Sequence, residues 1–224
     1  MFTQNLKYYF KITMAMLVVF IAQQISLGAS LISNTAVATI AFFTGITIAG
    51  IVAYKYKIFT NYPHERQFKH HKTLIKIGIV IGAYLLMFAA SSFSVITKNA
   101  LNLVENVSNQ DVINSIAKHG NLSFLILALL TAPFFEELIF RWFIFEKLKP
   151  TGSRLIPFAV ASIAFAMAHV AAGGLTDLSS WITYLPMSII LTGLYALFGD
   201  IKLNMTVHLI WNAVSVLALI TTLQ

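Results

Sequence analysis

The sequence predicts an all-α fold, a polytopic bundle of about seven transmembrane helices, on three observations. Of its 224 residues, 58% are hydrophobic and only 10% are charged, against about 45–50% and about 25% in a soluble domain. With a mean hydropathy of +0.80, this excludes a water-soluble globule and also a disordered chain, which needs low hydrophobicity and high charge. The apolar residues come in long continuous runs rich in Ala, Leu, Ile and Met, not in the alternating segments of an outer-membrane barrel. The basic residues fall between those runs on alternate sides, as they do in helical membrane proteins.

A spanning helix takes about 20 apolar residues, and the runs place spans at 8–28, 34–54, 74–97, 122–145, 156–172, 181–198 and 204–222. The first is too long for the core of a signal peptide and no small-residue cleavage site follows it, so it is expected to be a retained anchor. In the third, Gly78 and Gly82 form a small-xxx-small pair that predicts close helix packing. The polar stretch 98–120, with Asn102, Asn106, Asn109, Asp111 and Asn114, is expected to form a short surface helix. The fourth span contains Pro133, which removes a helix hydrogen bond from the carbonyl of Leu129 and kinks the helix. The fifth and sixth are the shortest. No repeat or linker divides the chain, so 1–224 is expected to be one integral membrane domain.

Lys and Arg set the orientation. Lys7, Lys11, Lys55, Lys57, Arg66, Lys69, Lys72, Lys76, Lys147, Lys149, Arg154 and Lys202 fall on one side, and only Lys98 and Lys118 on the other. The first side, with the N-terminus, is expected to be cytoplasmic. The net charge of +7 is then topology and contact with anionic lipid. Nucleic acid is not an expected partner, because no soluble domain carries the charge. The absence of cysteine excludes disulfides, thiolate zinc sites and cysteine nucleophiles.

Ionisable groups at bilayer depth cost several kcal/mol each, so they mark function. They are concentrated in the C-terminal half: Glu136, Glu137 and Arg141 in span four, His169 in span five, and His208 with Asn212 in span seven. Residues four apart share a helix face. Glu137 can therefore pair with Arg141, whereas Glu136 points about 140° away from that arginine and is the unpaired carboxylate. Phe165 shares a face with His169, and His208 with Asn212. Converging from three helices, Glu136, His169 and the His208/Asn212 pair would form one cavity, expected in the middle-to-cytoplasmic half of the membrane.

Such a set supports two chemistries. In one, Glu136, His169 and His208 hold zinc with a position open for water, and Glu137 assists as base. In the other, Glu136 and His169 activate water without a metal, and His208 and Asn212 donate to the oxyanion of a peptide carbonyl. Asn212, a poor zinc ligand and a good donor, tilts the balance to the second, and no His-Glu-x-x-His helix is present.

Glu136-Glu137-x-x-x-Arg141, Phe165-x-x-x-His169 and His208-x-x-x-Asn212 resemble, in order and placement, the three motifs of the CAAX protease and bacteriocin-processing (CPBP, formerly Abi) family of intramembrane endopeptidases. The resemblance covers 122–222. It implies an all-helical fold with the active site inside the bundle. It also implies hydrolysis of a peptide bond in a membrane-bound peptide or protein: CAAX-type processing, maturation of a pheromone or bacteriocin, or bacteriocin immunity. Carried over, Glu136 activates water with help from His169, His208 and Asn212 stabilise the oxyanion, and Glu137 and Arg141 support the site. The family is described both as metalloproteases and as metal-free glutamate proteases.

Two other classes compete. A non-catalytic immunity or binding protein would use the same residues as a recognition pocket. A proton-linked transporter would use them as a relay, but would be expected to show repeated halves. The aromatic side chains Phe134, Phe135, Phe140, Trp142 and Phe143 are expected to be core or lipid-facing. His64, His70 and His71 are expected to be solvated loop residues, and His119 and Asp177 loop residues without a role. Absent cysteine and twelve Lys against three Arg point to a bacterial source, hence to the bacterial cytoplasmic membrane.

Overall fold

The structure is a computed structural model, which describes residues 2–58, 73–103, 108–147, 153–171 and 173–222. The described residues form α1 (Phe2–Gly28), a 3-10 turn (Ala29–Leu31), α2 (Thr35–Lys55), α3 (Thr73–Ala100), α4 (Ser108–His119), α5 (Leu122–Glu137) continued by wider π-helical turns (Leu138–Lys147), α6 (Leu155–Val170), α7 (Leu178–Phe198) and α8 (Ile201–Thr222). Six segments have the length and composition to cross a membrane: Lys7–Leu31, Thr35–Lys55, Thr73–Ala100, Leu122–Lys147, Leu178–Phe198 and Ile201–Thr221. Of the seven expected spans, the sixth is thus full-length. The fifth is the 16-residue α6, about 24 Å long at 1.5 Å per residue, so its last turn, with His169, stops short of a full crossing. His64, His70 and His71, with Arg66, Lys69, Lys72 and Lys149, lie outside the described residues.

Short polar side chains set the helix ends. Asn34, Asn121 and Asp177 each accept a backbone N–H of the first turn of the helix they precede, from Val37, Phe124 and Ser180, which satisfies donors a helix start leaves unpaired. Asp177 therefore has a role beyond the loop: it caps α7, and also accepts from the Ser180 hydroxyl at 2.6 Å. Gly199 closes α7 in the left-handed region (φ 63), where a Cβ is unfavourable. The expected surface helix is α4, whose Ile113, Ile116 and Ala117 pack with Leu125 of α5 and Leu219 of α8.

The helix packing gives the bundle two distinct ends. At one, Tyr56 beyond α2 packs on Trp142 of the π-helical segment, and its hydroxyl donates to the Lys11 carbonyl of α1. At the other, the Asn121 N–H before α5 donates to the Ser30 carbonyl after α1, and Ser94 of α3 donates to the Ile182 carbonyl of α7. Between the ends, α1 and α2 form one tight pair and α3, α6 and α7 another, and α5 runs through the middle against α1 and α8.

Close helix approach occurs at Gly45, not at the expected Gly78 and Gly82. A Cβ on either of the latter would meet nothing within 4 Å, whereas on Gly45 it would run into Ser26 and the Ala22 carbonyl of α1. The Ser26 hydroxyl also donates to the Phe42 carbonyl across that contact. Gly45→Leu is expected to destabilise the protein by about 1–3 kcal/mol, the usual range for overpacking, visible as a lower midpoint of thermal unfolding in detergent; Gly78→Leu should leave it unchanged.

Candidate active site

Side chains from four helices meet at Glu136 and Glu137, at the junction of α5 with the π-helical turns. Such widened turns recur at functional sites. Glu137 and Arg141 are fully buried and pair at 3.2 Å, as their spacing predicts. The guanidinium lies 4.5 Å over the Phe165 ring, and its Nη2 reaches toward the Ser188 carbonyl at 3.5 Å. Glu137 is more than an arginine partner. Its Oε1 also accepts from His208 Nδ1 at 2.9 Å, and its Oε2 from Asn204 Nδ2 at 3.2 Å. Asn204 donates in turn to the Leu191 carbonyl at 2.7 Å, which ties α7 to the pair.

Glu136 is held differently. Its Oε1 accepts from Gln23 Nε2 of α1 at 3.1 Å. Its Oε2 is buried and has no hydrogen-bond partner among the described residues. That oxygen faces His208 Nε2 at 3.6 Å and His169 Nε2 at 3.9 Å. The partners of the two rings define their tautomers. His208 Nδ1 meets a carboxylate, and His169 Nδ1 meets the Phe165 carbonyl at 2.9 Å; both partners only accept, so both Nδ1 atoms carry the proton. Each ring therefore directs its Nε2 toward Glu136. The His169 plane is fixed by stacking at 4.6 Å on both Phe165 and Tyr184, and the Tyr184 hydroxyl accepts from Asn109 of α4 at 3.0 Å.

The convergence expected from spacing, of Glu136, His169, His208 and Asn212 on one cavity, is thus present, and Glu137 and Arg141 form the expected pair beside it. Asn212 is engaged a turn away, where its Nδ2 donates to the Leu129 carbonyl at 2.8 Å. That is the carbonyl Pro133 cannot serve, because proline has no N–H to give residue i−4. Three contributors were not among the expected residues. Asn204 had a signal, since it stands four before His208 and eight before Asn212, on one helix face. Gln23 had a weaker one, a glutamine in an apolar span. Tyr184 had none. The aromatics behave as core: Phe135, Phe140, Trp142 and Phe143 are buried.

The site opens into a cavity of about 650 Å³ whose lining includes Gln23, Glu136, His169, Tyr184, His208 and Asn212. It extends from Glu136 and His208, near the middle of the bundle, toward the end that holds α4. Gln23 and Tyr184 sit in the halves of α1 and α7 nearer α4 and His169 at the end of α6, whereas Glu136 lies at the far end of α5 and His208 in the half of α8 nearer Ile201.

The donor set was tested against zinc. Two imidazole Nε2 atoms and a carboxylate oxygen are the right chemistry. Donors bound to one tetrahedral zinc at about 2.0–2.1 Å stand about 3.3–3.4 Å apart, closer than His169 stands to Glu136. Among the described residues no group of three or more His, Asp or Glu is arranged to hold a metal ion. As arranged, the residues do not fit the ion.

Residues 118–214 match the family of type II CAAX prenyl endopeptidases described as Rce1-like, a stretch that contains all seven motif residues. Over these residues the chain is similar to the CPBP family. It is also similar to UPF0177 protein YvdC of Lactococcus lactis subsp. lactis (strain IL1403), with 38% identity over 136 residues, 61% of this chain. The chain spans about half the length of that curated relative (50%). No solved structure matches. With six helices long and apolar enough to cross a membrane, the chain is an integral membrane protein.

The Asn212–Leu129 bond predicts coupling between Asn212 and Pro133. Asn212→Ala alone should cost about 1–3 kcal/mol, the range for a buried acceptor left unsatisfied. In a Pro133→Ala background, where a backbone N–H can serve Leu129, the same change should cost clearly less. A double-mutant cycle on thermal unfolding in detergent measures the difference.

Proposed function

We propose that this chain is an intramembrane endopeptidase that hydrolyses a peptide bond of a membrane-associated peptide or protein with water activated by Glu136. One observation carries the proposal: a buried, unpartnered carboxylate oxygen faces two imidazole Nε2 atoms at the end of a cavity inside a membrane bundle. A water molecule donating to Glu136 Oε2 and to His169 Nε2 satisfies both acceptors and is aimed along the cavity. Glu136 removes its proton as the oxygen adds to the substrate carbonyl. The Gln23 amide on Oε1 keeps Oε2 turned to the water.

His208, held by Glu137 at Nδ1, carries a proton at Nε2 that is taken up from solvent through the cavity before water attacks and is kept throughout the reaction. In that form it donates to the oxyanion. Asn212 keeps one of its two amide N–H groups after serving Leu129, and that second donor completes the oxyanion site. Collapse of the tetrahedral intermediate breaks the C–N bond, and protonated Glu136 returns its proton to the leaving amine. The Glu137–Arg141 pair supplies position, not protons. No step is routed through a metal, since the donor set does not fit one.

The test compares peptides and membrane-protein fragments from cells making wild type or Glu136→Gln at equal abundance. A fragment released by wild type should fall at least about 10²-fold in the variant, the low end for loss of a general base. Function that persists unchanged in Glu136→Gln would instead identify a binding or immunity protein with a recognition pocket. Chelation tests the second point: with purified protein in detergent, EDTA should leave fragment release unchanged. Loss of activity restored by added zinc would replace the metal-free mechanism with a metal-dependent one.

A further inference from the structure

The two ends of the bundle differ in charge, and the cavity belongs to one of them. Among the described residues, Lys7, Lys11, Lys55, Lys57, Lys76, Lys147, Arg154 and Lys202 lie toward the end where Tyr56 meets Lys11 and Trp142. Only Lys98 and Lys118 lie toward the other. The cavity runs from Glu136 and His208, near the middle of the bundle, to that second end, where the last turns of α1, α3 and α6, the first half of α7, the outer part of α8 and α4 itself line it. The positive-inside rule makes the basic end cytoplasmic, and the cavity therefore faces away from the cytoplasm.

The cavity reaches the surface at a definite place. Phe20 and Gln24 of α1, Val112 of α4 and Ser215 of α8 line it and are exposed. Helices α1 and α8 each pack on α5 and scarcely on one another, which leaves a slot between them with α4 at its outer edge. The lining is also unusual for membrane depth. It holds five neutral amides: Gln23, Gln24, Asn109, Gln110 and Asn212. An extended peptide brought into a membrane carries N–H and C=O groups that cost several kcal/mol each if left unpaired. Amides offer both donors and acceptors, and those already in a hydrogen bond keep further capacity. Helical segments pair their own backbone and have no use for such a wall.

We propose that the substrate is a peptide segment presented from the extracytoplasmic face, and that it enters in extended form through the slot between α1, α4 and α8 to reach Glu136. The proposal rests on the peptidase reading and adds the side and form of the substrate. A peptide released outside the cell and the outer half of a membrane span share this chemistry, and the ends of the released fragment distinguish them.

The absence of cysteine in the chain allows single-cysteine tests. Val112→Cys at the slot and Lys55→Cys at the basic end are exposed in turn to a membrane-impermeant maleimide, in intact cells and in inverted membrane vesicles. Val112→Cys should label in intact cells and Lys55→Cys only in inverted vesicles; Ser215→Cys serves as a second slot position if Val112→Cys folds poorly. A bulky maleimide on the slot cysteine, added from outside, should abolish Glu136-dependent fragment release. Labelling with the opposite sidedness overturns the proposal, and so does release that persists with the slot blocked. Failure of the peptidase reading is recognised separately, without any maleimide, by release that survives Glu136→Gln.

Discussion

The site depends on one fully buried carboxylate. Glu137 pairs with Arg141 and accepts from His208 and Asn204, side chains that arise on two helices and are further tied to a third through Leu191 and Ser188 of α7. A charge inside a bundle is tolerated only with such partners, and removing one partner of a buried pair costs about 3–5 kcal/mol. The cluster therefore fixes the register of α8 and α7 against α5. It also holds the His208 ring at Nδ1, and so directs Nε2 at Glu136. Two adjacent glutamates thus divide the work: one is saturated with donors, the other is left with an oxygen to spare.

Backbone irregularity at the same level serves the same end. Pro133 breaks the hydrogen-bond ladder three residues before Glu136, and the π-helical turns begin directly after Glu137. Non-helical backbone at membrane depth survives where it lines a cavity and finds other partners. Here Asn212 is that partner for Leu129. A residue marked by its motif for chemistry thereby also repairs the helix that presents the carboxylates.

Much of the fold was legible because bilayer physics is severe. Apolar run length located the helices, and the cost of intramembrane charge singled out Glu136, Glu137, Arg141, His169 and His208. Helical spacing gave the Glu137–Arg141 pair. Spacing did not give the outline of the cavity, which is set by where α1 and α4 pack and which no local pattern encodes. Gln23 was obscured by distance, 113 residues from its partner in sequence, and lies outside the stretch matched by the family. The Gly78/Gly82 pair shows the converse: small residues permit close approach, but only a facing helix such as α1 against Gly45 makes use of it.

Tyr184 links the interior of the site to the surface helix α4. On one side it stacks against His169 in the interior, and on the other its hydroxyl holds Asn109 on the amphipathic helix α4. The same phenol therefore belongs both to the doorframe and to the bench. Any free energy spent in moving α4 is partly drawn from the alignment of His169, and the relation is reciprocal. Admission of a substrate and readiness of the proton acceptor are then a single equilibrium rather than two successive events.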